Sequence, residues 1–220
     1  MVQVSLYPVL AASVALLATT TPSTAHPLDL SSTYAPGGQL AARAAAASNS
    51  SASLNACLSK SGATLTYPGS SSYSTLAKTE NSNYNSNPDV IAQPTNVNQV
   101  ASIVKCVAAN DGQTKITPKS GGHGYAAYSM TGNVVLDFAK MTDLTVDTNA
   151  KTVTVGAGMT LGPLAKAIGD KGYALPHGTC PTVGVSGHGM GGGWGYSSRK
   201  WGWLMDHSEL EKGEKDIKTC

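Results

Sequence analysis

The sequence is poor in charge. Only 13% of its 220 residues are Asp, Glu, Lys or Arg, and Lys plus Arg exceeds Asp plus Glu by two, 15 against 13. The excess is scattered, with no basic stripe and no interleaving of aromatic and basic residues. A surface that tracks nucleic-acid phosphates is therefore excluded, and a small molecule is the expected partner. A long uninterrupted apolar run is also missing. Met1 to Leu17 carries no charged side chain, but polar residues and Pro8 interrupt it, and it is too short to cross a bilayer. Small residues follow from Thr19 to Ala25, with Ser23 and Ala25 matching a cleavage pattern before His26. Residues 1–25 thus read as a signal peptide that directs secretion and leaves no membrane segment once removed.

Large apolar side chains are scarce again from His26 to Ser53. Such a stretch buries too little surface to offset the entropy of ordering it, so residues 26–54 are expected to be disordered. The sequon Asn49-Ser50-Ser51 falls in that stretch. Residues 55–206 are enough for one domain.

Four cysteines are present, at 57, 106, 180 and 220. In an oxidising compartment pairing is the default. A Cys57–Cys106 bridge would tie the start of the ordered region to a predicted helix, and Cys180 could pair with Cys220. Spacing alone leaves all three pairings open.

Val90-Ile91-Ala92 is a short apolar run closed by Pro94. Asn96 then caps a helix in which Val97, Val100, Ile103, Val104 and Val107 recur at three- and four-residue steps. A second strand at Lys115–Pro118 completes what reads as a parallel βαβ unit. Beyond Gly124 a strand is expected over Asn133–Phe138. Leu144–Val146 and Thr152–Val155 alternate as a hairpin, Leu161–Asp170 is a helix capped by Thr160, and Tyr173–Pro176 is a last short strand. One parallel half and one antiparallel half make the fold class α+β.

Two glycine-rich stretches carry the chemistry. The first, Pro118-Lys119-Ser120-Gly121-Gly122-His123-Gly124-Tyr125, leaves a predicted strand, and its successive amides can face an anion. It is neither a Walker loop nor a dinucleotide fingerprint. The second, Gly178 to Gly202, reads GTCPTVGVSGHGMGGGWGYSSRKWG. Gly184-Val185-Ser186-Gly187-His188 approximates a nucleophile elbow but has His in the fifth position. His177, Cys180 and His188 match no common zinc spacing. Cys180 with either histidine could make a hydrolase, but the thiol precedes Pro181 and no orienting carboxylate is evident. A purely structural glycine loop, in a non-catalytic secreted module, is the remaining reading.

SGGHGY followed at this distance by HGTCPTVGVSGHGMGGGWGYSSRKWG resembles the secreted FAD-linked oxidases of the vanillyl-alcohol oxidase/p-cresol methylhydroxylase type. Within them it is most similar to the berberine-bridge-enzyme-like and oligosaccharide oxidase group. The resemblance spans Cys57 to Asp206 and includes the early cysteine pair. It implies a PCMH-type FAD-binding domain with FAD bonded at two points, His123 at the 8-methyl carbon of the isoalloxazine and Cys180 at ring carbon 6. An imidazole nitrogen and a thiolate are the nucleophiles such electrophilic carbons need. It further implies flavin contacts from Ser120, Gly121, Gly122, Gly124 and Tyr125 in the first stretch. The second stretch would contribute Thr179, Val183, Gly184, Ser186, Gly187, His188 and Gly193. Ser186 and His188 could instead serve local backbone groups.

The implied activity is oxidation of an oligosaccharide or other alcohol with oxygen as electron acceptor, the redox chemistry belonging to the cofactor. The family's catalytic base lies in a substrate domain with no counterpart among these residues. After Asp206, where an apolar strand is due, residues 207–220 form a charged tail, which suggests a truncated domain and an exposed sheet edge.

Overall fold

The computed structural model describes residues 3–6, 52–110, 112 and 114–210. Signal cleavage, the sequon at Asn49 and the placement of Cys220 lie outside them.

The first sheet is built from β2 (Thr64–Thr66), β3 (Val90–Gln93), β4 (Ile116–Lys119) and β5 (Val134–Asp137), in the order β2-β3-β5-β4. β2 is antiparallel to β3, and the remaining pairs are parallel. All four residues of β3 and of β5 are buried, the pattern of central strands covered on both faces. Helix α3 (Val97–Ala108) covers one face through Val100, Ile103, Cys106 and Val107. Its first turn is capped as expected, with Asn96 Oδ1 accepting from the Gln99 amide at 3.0 Å. The opposite face packs Ile91 and Val135 against Ala77 and Met130.

One expectation is corrected here. β3 and β4 are not neighbours, because β5 lies between them. A fully buried Val-Val-Leu-Asp strand belongs in the middle of a sheet, not in a half-exposed antiparallel layer. Residues 52–58 form helix α1, whose Leu54 and Leu58 are buried with Val90 and Ile103. Cys57 and Cys106 are disulfide-bonded, with their Cα atoms 5.7 Å apart, fastening α1 to α3.

The second sheet contains the expected hairpin, β6 (Leu144–Asp147) antiparallel to β7 (Thr152–Val155). Its turn is closed by the Asp147 carboxylate, which accepts from the Asn149 and Ala150 amides at 2.8 and 2.9 Å. The sheet is mixed rather than antiparallel. β1 (Gln3–Leu6), from the stretch read as a leader, lies parallel to β7, and β8 (Ser208–Leu210) lies parallel to β1. The tail thus enters the sheet for three residues, since backbone pairing does not require apolar side chains. Helix α4 (Leu161–Gly169) packs Leu161, Leu164 and Ile168 with Val153, Val155, Val185 and Leu204 into a second core.

Tyr173–Pro176 forms no strand. Gly172, at φ 78°, closes α4, and Tyr173 donates its amide to Ile168 O, so the segment is committed to the helix end. Leu175 is nevertheless buried in the second core. The architecture is α+β, and no helix among the described residues is long and apolar enough to cross a membrane.

Candidate cofactor site

The two glycine-rich stretches meet on top of the sheets. The first leaves β4 at Lys119, whose ammonium donates to Leu76 O at 3.2 Å and lies 3.3 Å from the buried Asp137 carboxylate. With that exit pinned, Gly122 takes a left-handed φ of 74° to turn the chain. The second runs from Gly178 to Gly184 and enters the short helix α5 (Val185–Met190).

Glycine is required where the loops touch. A Cβ on Gly121 would sit 2.6 Å from Thr182 O, and one on Gly184 would overlap the Ser120 hydroxyl and the Gly121 amide. The loops therefore pack backbone against backbone. Ser120 and Ser186 both donate their hydroxyls to Ala157 O, at 2.7 and 2.8 Å, so a single carbonyl staples both stretches. His123 Nε2 and Thr182 Oγ1 are hydrogen-bonded at 2.7 Å across the junction. On the ring's other side, Nδ1 lies 3.8 Å from Glu80 Oε1.

A cleft of about 330 Å³ opens at this junction. Ser120, Gly121, Gly122, His123 and Gly124 line it from the first loop, and Val183, Gly184, Gly187 and His188 from the second. The remaining candidates are not part of its lining. Thr179 and Cys180 are exposed, on the turn that leads to Thr182, and the Cys180 thiol is free among the described residues. Tyr125 is exposed, its carbonyl held by Asn81 Nδ2 at 3.1 Å. Gly193, at φ 75°, packs against Leu204. Another cleft, of about 320 Å³, lined by Tyr84, Asn85, Asn87 and Asn133 among others, contains none of the candidates.

The competing local readings can be compared with this geometry. Ser186 spends its hydroxyl on Ala157 O and is not presented as a nucleophile. His177 Nδ1–H donates to Gly178 O at 2.6 Å, and His188 Nε2 accepts from the Gly178 amide at 2.9 Å. Both histidines thus bond backbone groups of the loop instead of activating Cys180. Burial, followed by the nearby His177, lowers the His188 pKa below its ordinary 6.5. Among the described residues no group of three His, Cys, Asp or Glu side chains could hold a metal ion.

Tyr128, Ser129, Thr182 and Ala157 escaped the sequence reading. Tyr128 and Ser129 line the cleft from a short turn that begins at Ala127, a non-glycine residue at φ 53°. Ser129 Oγ is buried there without a hydrogen-bond partner among the described residues, an unmet polar group of the kind a bound ligand satisfies. Thr182 falls within the second motif but was not singled out, and no pattern marks the other three, because each matters through a contact distant in sequence.

Residues 88–209 match the family described as FAD binding domain. The chain belongs to that family. Over 159 residues it is 35% identical to the xylooligosaccharide oxidase of Thermothelomyces thermophilus, covering 70% of this chain and 32% of that protein. Among solved structures it is similar to Physcomitrella patens BBE-like 1, with 41% identity and a TM-score of 0.66, over 70% of this chain and 34% of that one. The glucooligosaccharide oxidase of Acremonium strictum, whose FAD is described as 6-S-cysteinyl, 8α-N1-histidyl, gives 33% identity and a TM-score of 0.65 over 70% and 33%. The chain spans about a third of the length of these relatives, and its PCMH-type α+β fold is that of its structural neighbours.

The residues present fit FAD. The cleft is lined by glycine backbone, and a Cβ on Gly124 or Gly187 would meet nothing within 4 Å. An unpaired hydroxyl, an imidazole and, nearby, an exposed thiol complete a donor set suited to a flavin nucleotide.

Proposed function

We propose that this chain is the flavin-holding part of a secreted FAD-linked oxidase of carbohydrate or related alcohol groups. In this reading FAD is covalently held through His123 and Cys180. The observation that carries it is the His123–Thr182 hydrogen bond of 2.7 Å at the mouth of the cleft. It ties the histidine-bearing loop to the loop that carries the thiol two residues earlier.

When bound, FAD would supply the redox chemistry of alcohol oxidation with oxygen as the final acceptor. The chain's own residues bind and orient it. Gly121, Gly122 and Gly124 offer backbone amides to the phosphates. Gly184 and Gly187 keep their part of the opposite wall free of side chains. The Thr182 hydroxyl fixes the plane of the His123 ring, and the Glu80 carboxylate lies 3.8 Å from the ring's other nitrogen. Ser129 contributes a buried hydroxyl with no other partner among the described residues.

The disulfide suits an oxidising compartment and supports secretion. The oligosaccharide oxidases among the relatives support a carbohydrate substrate.

The test is the colour of the acid-precipitated chain after incubation with FAD, with peptide mass spectrometry of the segments bearing His123 and Cys180. Yellow precipitate and a flavin mass joining the two peptides are expected. A colourless precipitate with both peptides unmodified would overturn the reading.

A further inference from the structure

The turn that presents Cys180 is held at several points, and one of them is unlike the others. Val183 N donates to Cys180 O at 3.3 Å, Gly162 N to Pro181 O at 2.8 Å, and Leu161 N to Val183 O at 2.9 Å. These are backbone pairs and are indifferent to pH. The entry to the turn, two residues before the thiol, is held instead by a side chain. Gly178 N donates to His188 Nε2 at 2.9 Å, and a Cβ on Gly178 would lie 3.0 Å from His188 Cε1. The imidazole is therefore seated directly on the loop backbone. The opposite side is closed by Gly195, where a Cβ would overlap His177 O.

From this geometry we infer that His188 is a positioning residue for Cys180, its unprotonated Nε2 latching the Gly178 amide so that the thiol is presented in one place. An amide N–H can donate only to an unprotonated ring nitrogen. Protonating Nε2 turns the acceptor into a donor facing a donor, and the entry to the turn comes loose. The titratable groups around the ring are few. His177 and Cys180 belong to the loop it holds, and His123 and Tyr128 share the cleft with it, with Glu80 beyond His123. His177 and burial both favour the neutral ring, so the latch is closed at neutral pH and opens on acidification.

The relevance to flavin rests on Cys180 being a tether, but the latch itself is tested without flavin. The full chain, before any FAD is added, is alkylated with iodoacetamide from pH 8 to pH 4.5. Modification of Cys180 is followed by peptide mass spectrometry. Rates for wild type are divided by rates for His188→Gln, whose side-chain oxygen can accept the Gly178 amide at every pH, so that ionisation of the thiol cancels. The ratio is expected near one at pH 8 and to rise at least threefold in acid. His188→Leu, which lacks the acceptor, is expected to react faster than wild type at pH 8 and to converge with it in acid. Should His188→Leu not fold, the comparison with His188→Gln decides alone. A ratio that stays flat across the range overturns the latch. Whether Cys180→Ala lowers covalent flavin yield is measured separately, so failure of the tether and failure of the latch give different results.

Discussion

His123 and Thr182, 59 positions apart in the chain, share a 2.7 Å hydrogen bond between ring nitrogen and hydroxyl. That bond, with the glycine-on-glycine contact beneath it, turns two separate loops into one cleft. A net hydrogen bond of this kind is worth about 1 kcal/mol. Thr182→Val should therefore leave the fold intact and slow covalent flavin incorporation by roughly fivefold. The flavin absorbance retained in acid-precipitated protein, sampled over time, measures this, and an unchanged time course would show that the bond does not orient the ring.

The glycines divide into two classes with opposite expectations. Gly184→Ala drives a methyl group into the Ser120 hydroxyl and the Gly121 amide, and overpacking of this sort costs about 1–3 kcal/mol. Its urea midpoint should fall. At Gly187, in helix α5, a Cβ meets nothing within 4 Å. Gly187→Ala should hold or raise the unfolding free energy by up to about 1 kcal/mol while weakening FAD binding, because the new methyl group occupies the cleft wall. Equal losses of stability in both variants would contradict the division.

His188 makes stability depend on pH. Its folded pKa lies below its unfolded value near 6.5, so the unfolded chain binds more protons on acidification. The contribution is fully present above about pH 6.5 and is lost as pH falls through the lower, folded pKa. Urea unfolding at pH 7.5 and pH 5 should show a larger acid loss for wild type than for His188→Gln, and parallel losses would remove the effect.

Asp137 is nearly inaccessible, accepts from the Ala139 amide at 3.0 Å and faces the Lys119 ammonium. Asp137→Leu strands that ammonium and should cost about 3–5 kcal/mol. Because Lys119 anchors the Ser120–Gly124 loop, FAD affinity should fall with stability. Calorimetric unfolding together with FAD titration reads both.

The Cys57–Cys106 bridge closes a sequence separation of 49 residues. Replacing both cysteines by serine should lower unfolding free energy by roughly 4 kcal/mol in the chain-entropy model. α1 is the element that should exchange amide hydrogens fastest in that variant.

Much of the fold was legible because its signals are local. The 3.6-residue recurrence in α3, the Asn96 cap and the Asp147 turn each act within a few residues, and the β6–β7 hairpin follows from its own alternation. Strand neighbourhood was not legible in the same way. β5 inserts between β3 and β4 because its four residues need cover on both faces, and that requirement involves partners more than 40 positions apart. The site divides similarly. The motifs singled out His123, Cys180 and the glycines as candidates, but not that Gly121 and Gly184 pack on each other, nor that Ala157 O joins Ser120 to Ser186. His188 was named as a flavin contact or a local hydrogen-bonding group, and the structure seats it on the backbone of the loop bearing Cys180.

By itself, the sequence determined the α+β class, the positions of α3, α4 and the β6–β7 hairpin, and the two loops that hold the candidate residues, since these depend on local spacing and residue type. The tertiary structure alone decided strand order, the meeting of the loops, and which polar groups are left for a ligand. Those are properties of distances between groups remote along the chain, which no local pattern records.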